Sequence, residues 1–150
     1  MSERILGLDP GERRIGVAVS DATCTIASPV EFVDRQTRDH EQRLIDLCSE
    51  WEIVEIVVGF PMSLDGTEGP AATRAREFGE SVKRLTGLPV AFQDERFTTV
   101  TAERALLEGG VRRRSRRNKR DQVAAAVMLQ AFLDRRRHEL GNEHDTNTER

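Results

Sequence analysis

A chain of 150 residues has the size of one domain with a single hydrophobic core. Charged residues make up 33% and hydrophobic residues 37%, and no apolar run approaches the ~20 residues that cross a bilayer, so a helical membrane protein is excluded. The net charge of −3 hides an asymmetry: residues 112–120 carry seven positive charges and no negative one, which leaves −10 on the remainder.

Met1-Ser2-Glu3-Arg4 leads straight into a predicted strand without signal-peptide patterning. Cys24 and Cys48 lack metal or redox spacing, so reduced thiols in a cytoplasmic protein are expected. Residues 4–9 and 15–20 read as strands joined by a turn through Pro10 and Gly11. A third strand near 28–34 completes an antiparallel meander. A helix follows over about 37–51, with Leu44, Leu47, Cys48 and Trp51 on one face. Residues 53–58 form a β-branched strand that Gly59-Phe60-Pro61 ends.

The loop from Met62 to Gly69 leads to Pro70, which suits a helix's first turn. That helix spans about 70–86, and Gly87 is its stop. A fifth strand covers 89–93. A short helix is predicted over about 100–108 and a last one over about 120–137. The domain therefore spans 1–137, and residues 138–150 read as a polar, disordered tail. Crossover helices make the later strands parallel to the first. The expected fold is α/β: a five-stranded mixed sheet flanked by helices, with the ends of strands one, four and five along one edge.

Three carboxylates fall at element ends. Asp9 follows Ile5-Leu6-Gly7-Leu8, Glu95 follows Val90-Ala91-Phe92, and Asp121 opens the last apolar helical pattern. Converging carboxylates repel, so a site that keeps them ionised calls for a cation. Two of them also have an ordinary explanation: for Asp9, Asp-Pro-Gly is common turn chemistry, and for Asp121, a first-turn Asp complements a helix dipole. Asp121, however, shares the helical phase of Ala125, Met128 and Phe132, which turns it toward the sheet. Strand alternation puts Asp94 and Glu95 on opposite faces; Glu95 is favoured, though alternation alone does not choose. Thr98 and Thr99 are candidate helix N-caps, and a helix N-terminus attracts phosphate. His40, His138 and His144 are poorly placed as general bases, which favours water activated by a metal. The basic block Arg112, Arg113, Arg114, Arg116, Arg117, Lys119 and Arg120 repels itself and should order only against a polyanion. Its direct precedence to Asp121 favours nucleic-acid contact over a solvated loop.

Four stretches carry a resemblance. They are Leu8-Asp9-Pro10-Gly11 with Arg14-Ile15-Gly16-Val17-Ala18-Val19-Ser20-Asp21, Val57-Val58-Gly59-Phe60-Pro61 with Asp65-Gly66-Thr67-Glu68-Gly69, Asp94-Glu95-Arg96-Phe97-Thr98-Thr99, and Asp121-Gln122-Val123-Ala124-Ala125. In this order, across about residues 4–134, the chain resembles the YqgF/RuvX family. The resemblance implies a small RNase H-like domain whose members are described as nucleases for the 5′ end of precursor 16S rRNA or as Holliday junction resolvases. It implies an acidic site of Asp9, Glu95 and Asp121 binding Mg²⁺ or Mn²⁺. Arg14, Thr98 and Thr99 join the basic block as nucleic-acid-binding candidates, the block by its charge alone.

The expected function is hydrolysis of a phosphodiester in structured RNA, with branched DNA the alternative substrate. A monomer is favoured, and a homodimer would accompany the resolvase reading, because two strands must be cut. A non-catalytic nucleic-acid-binding module could share the fold. An actin-like ATPase half would need two such domains, beyond the reach of 150 residues.

Overall fold

The computed structural model describes residues 3–61, 65–95 and 113–148, with the side chains of the last helix from Ala124 to Gly141. Three antiparallel strands come first: β1 (Arg4–Pro10), β2 (Arg14–Ser20) and β3 (Ala27–Asp34). Then follow α1 (His40–Glu50), β4 (Ile53–Phe60), α2 (Pro70–Thr86), β5 (Val90–Asp94) and α3 (Arg113–Thr148). The sheet order is β3-β2-β1-β4-β5, and β4 runs parallel to both β1 and β5. The mixed sheet and its meander therefore match the expectation. The predicted helix over 100–108 falls outside the described residues.

Strand alternation divides the core into two layers. Leu6, Leu8, Ile15, Val17, Val19, Ile56 and Val58 meet Leu44 and Leu47 of α1 and Val82 of α2. The alternate residues Ile5, Ala18 and Val57 meet Ala125, Met128, Leu129, Phe132 and Leu133 of α3. All are buried, so each face of the sheet carries one apolar layer. Helix α3 comes close over β1: a Cβ at Gly7 would stand 2.9 Å from Leu129 Cβ. Farther along, Arg136 makes a two-pronged pair with Glu55, Nη1–Oε1 at 2.7 Å and Nη2–Oε2 at 2.9 Å. Since Glu55 lies near the start of β4 and Leu129 over the middle of β1, the N-terminal part of α3 lies toward the carboxyl ends of the parallel strands.

Two helices differ in extent from the sequence reading. Helix α1 starts at His40 rather than near 37, because residues 34–40 form successive turns: Thr37 N–H donates to Asp34 O, and His40 N–H to Thr37 O. Helix α3 takes in residues 113–120 and runs to Thr148, where charge repulsion predicts no order without a polyanion and polarity predicts a disordered tail from His138. The buried turns from Ala124 to Leu133 nucleate the helix, and each further residue then adds a backbone hydrogen bond at little cost. The pairs Arg135–Glu139 and Arg137–Asp134, at i,i+4 and i,i+3, support the turns beyond the core. Among the described residues no helix is long and apolar enough to cross a membrane.

Candidate active site

The two carboxylates with described side chains come together. Asp9 is the penultimate residue of β1, and Glu95 follows the last residue of β5. Strand β4 runs between them and contributes no acid there, only Gly59-Phe60. The space above Gly59 brings the acids together. A Cβ at Gly59 would lie 3.0 Å from Glu95 Oε1 and 3.2 Å from Asp9 Oδ1. Both acids thus reach across β4 into the room that a missing side chain leaves, one from each neighbouring strand.

The pairing of Glu95 N–H with Phe60 O at 3.1 Å extends the sheet ladder one step past β5 and sets the direction of the side chain. Asp94 belongs to the alternate side of β5, with Phe92, which packs against the α2 layer. The choice that alternation left open therefore falls to Glu95. Both clustered acids are deeply buried, Asp9 at 5% and Glu95 at 2% exposure. Two ionised groups so placed cost free energy unless positive charge comes between them. The donor set is of hard oxygens, and the opening over Gly59 separates them. These features suit a hard divalent cation.

The third acid, Asp121, lies in α3 one turn before Ala125, on the stretch that heads for the carboxyl edge. Its side chain is outside what is described, as are those of Arg113, Arg114, Arg116, Arg117, Lys119 and Arg120. Thr98, Thr99 and Arg112 fall outside the described residues altogether. Among the described residues no group of three His, Cys, Asp or Glu side chains is assembled as a metal site.

Arg14 opens β2 two residues from Gly16, the register partner of Asp9, on the face shared by Ala18 and α3. Its guanidinium lies 4.9 Å over the Phe32 ring, and its Nη1 is buried with no hydrogen-bond partner among the described residues. In the β4–α2 loop, Asp65 Oδ1 accepts from Thr67 N–H at 3.0 Å and from its hydroxyl at 2.7 Å. A cavity of about 340 Å³ between α1 and α2, lined by Arg35, His40, Arg74 and Phe78, lies on the other face of the sheet and contains none of the candidates.

Two participants escaped the sequence reading. Gly59 reads there only as the end of a strand. Gln93 reads as the residue in phase with Glu95; it is 6% exposed and pairs in register with Gly59.

A family model described as "RuvX: Holliday junction resolvase" matches residues 3–135. Relatives named "Putative pre-16S rRNA nuclease" include the following three. One from Paracoccus denitrificans is 47% identical over 135 residues, 89% of this chain and 85% of its own. One from Ruegeria sp. strain TM1040 is 45% identical over 136 residues, 89% of this chain and 86% of its own. One from Desulfitobacterium hafniense is 42% identical over 142 residues, 95% of this chain and 99% of its own. Among solved structures, Thermus thermophilus RuvC in complex with a Holliday junction substrate superposes with a TM-score of 0.54, at 16% identity, over 89% of this chain and 95% of that one. A second Thermus thermophilus RuvC structure gives 0.53 at 14% identity, over 90% and 96%. At these identities the likeness is one of fold, the RNase H-like fold of RuvC.

Proposed function

The chain belongs to the RuvX family, a family of nucleases, and on that premise we propose that it hydrolyses a phosphodiester near the 5′ end of precursor 16S rRNA with a divalent cation. The observation that carries the reading is the meeting of Asp9 and Glu95 over Gly59 at the carboxyl edge of the sheet. The names of relatives at 42–47% identity supply the RNA substrate.

In this reading Asp9, Glu95 and Asp121 hold Mg²⁺ or Mn²⁺. When bound, such an ion polarises a phosphoryl oxygen and makes water a better nucleophile at neutral pH. The protein's part is to fix the geometry. Asp9 and Glu95 are set by the ends of paired strands, and their burial keeps bulk water from competing for the same oxygens. The phase of Ala125, Met128 and Phe132 supports a sheet-facing Asp121. The basic block of α3, with Arg14, Thr98 and Thr99, would hold backbone phosphates around the reacting one. The aromatic face under Arg14 restrains its guanidinium in advance of a phosphate.

A monomer is favoured for processing an RNA end. The family's description favours a second reading, cleavage of a four-way DNA junction, which would need two active sites in a symmetric dimer. One pure preparation offered both substrates, with Mg²⁺ and with Mn²⁺, decides between them. We expect cut precursor rRNA and a monomeric size. A stable dimer that cuts junctions symmetrically and leaves the rRNA intact would replace the RNA reading with the resolvase one.

A further inference from the structure

The cavity between α1 and α2 has no part in the hydrolytic reading, yet it begins at the same edge of the sheet. Strand β3 is antiparallel to β2, as β2 is to β1, so β3 ends where β1, β4 and β5 end. Arg35 follows the last residue of β3, His40 opens α1, and Arg74 lies in the second turn of α2. All three line the cavity of about 340 Å³. Pockets for small ligands run from roughly 300 to 1,000 Å³, so this one has the size for a single small unit rather than a folded partner.

Arg35 ties the cavity to the acidic site. Its Nη1 donates to the carbonyl of Gly11 at 2.7 Å, two residues beyond Asp9, and its guanidinium lies 5.4 Å over the ring of Phe78. The rest of the lining is of mixed chemistry. Leu44, Phe78 and Val82 supply apolar surface continuous with the core of this sheet face. Arg74 supplies positive charge and makes no ion pair among the described residues, although Glu77 stands three residues along. Glu41 and Glu77 supply acceptors. A site for bare phosphate gains nothing from two carboxylates, which repel the anion. A purely apolar ligand leaves the arginines unused. A nucleotide carries every complement: a flat base, a phosphate for arginine, and hydroxyl and N–H donors for the carboxylates. Unpaired RNA bases are commonly stacked on aromatic rings and guanidinium planes, and Arg35 over Phe78 is such a surface.

We propose that the cavity between α1 and α2 is a subsite for one unpaired nucleotide of the RNA strand that flanks the bond to be cut. The proposal rests on the RNA reading of the acidic site. The strand passes from that site over the β1–β2 turn, its base lies against the Arg35–Phe78 stack, and Arg74 meets its phosphate. Helix α3 packs on the opposite face of the sheet, so the strand is met on both sides of the reacting bond. A base held within a duplex cannot enter the cavity, and the subsite therefore selects substrates with a single-stranded flank.

The test is binding of labelled hexauridylate to the protein in EDTA, without cleavage, beside an oligomer of the same length that lacks bases. Circular dichroism checks the fold of each variant. Arg74→Gln should weaken binding of both oligomers. Lys83→Gln removes the same charge from the same helix outside the cavity and should change binding little. Phe78→Leu keeps an apolar residue and removes the ring. It should weaken hexauridylate about tenfold and leave the abasic oligomer unchanged. Should that variant not fold, Ser81→Leu narrows the cavity from an exposed helix position and should weaken hexauridylate as well. Equal effects of Arg74→Gln and Lys83→Gln overturn the proposal, as does failure of the wild-type protein to bind hexauridylate. Wild-type affinity in folded Phe78→Leu or in Ser81→Leu overturns it too, and leaves the groove to a protein partner. The hydrolytic reading fails separately: protein with the expected selectivity that cuts no RNA in Mg²⁺ or Mn²⁺ keeps the subsite and loses the nuclease.

Discussion

Asp9 Oδ1 and Glu95 Oε1 stand 3.2 and 3.0 Å from one point, the place where a side chain at Gly59 would begin. The two acids come from strands on either side of β4, so the glycine between them acts as a spacer made of nothing. Gly59→Ala would fill it. Both carboxylates are side-chain ends and can retreat by a few tenths of an ångström, so the fold should tolerate the methyl group. The spacing between the acids should not. We expect a melting temperature close to wild type and hydrolysis slower by on the order of tenfold to a hundredfold, the usual consequence of small misplacement at a reacting centre. Wild-type turnover by the folded variant would show that the gap above Gly59 has no part in the chemistry.

Asp9→Asn separates charge from shape. The amide has nearly the carboxylate's size, and Asp9 is 5% exposed, so packing is kept while one of two neighbouring buried acids loses its charge. Hydrolysis should disappear, and affinity for nucleic acid should stay near wild type. Near-normal cleavage by purified Asp9→Asn in Mg²⁺ would locate the cation elsewhere.

At the opposite end of the sheet, Asp21 organises the β2–β3 turn. Its Oδ1 accepts from Thr25 N–H at 2.8 Å and Ile26 N–H at 3.1 Å, and its Oδ2 from the Thr23 hydroxyl at 2.8 Å. These bonds, the Thr25 amide foremost, hold the carboxyl below its ordinary pKa. A carboxyl whose folded pKa is depressed contributes stability above the unfolded value, about 4, and loses it as pH falls through the folded value. Asp21→Asn should therefore destabilise the protein at pH 7, and its difference from wild type should shrink below about pH 4. Urea unfolding of both proteins across that range checks the sign; a gap that widens on acidification would contradict it.

The parts of this molecule that can be read from its sequence are those set by local pattern. Ile15, Val17 and Val19 alternate with small residues because one face of β2 is apolar core and the other lies close beneath α3. Pro70 and Gly87 bracket α2 at its observed bounds, since proline needs no N–H in a first turn and Gly87 takes φ 73° at the stop. Asp9 and Glu95 are visible as acids at strand ends, and the crossover rule is enough to bring those ends to one edge. What one strand does not reveal is whose side chain fills a neighbour's empty space. Gly59 looks like punctuation until Glu95 is seen lying over it. The extent of α3 escapes a reading that weighs charge repulsion without the helix that the buried turns have already started.

That helix gives the basic block a sidedness. Arg114 and Arg117 stand seven and four residues before Asp121, so their positions share its side of α3, whereas positions 116 and 119 fall on the opposite side. The side of Asp121 continues into the buried row Ala125, Met128 and Phe132 and thus toward the acidic site. Backbone phosphate held near the reacting bond should accordingly be met from positions 114 and 117. Replacing Arg114 and Arg117 together with Gln should weaken binding to unrelated sequences alike. It should flatten the slope of log K against log salt by roughly 0.7–0.9 for each phosphate no longer neutralised. Replacing Arg116 and Lys119 removes the same charge from the far side and should change the slope less. Salt titrations of both double variants on one RNA provide the comparison. Equal changes from the two pairs would mean that the block attracts nucleic acid only as a diffuse charge, and an unchanged slope in both would mean that it is a solvated surface with no phosphate against it.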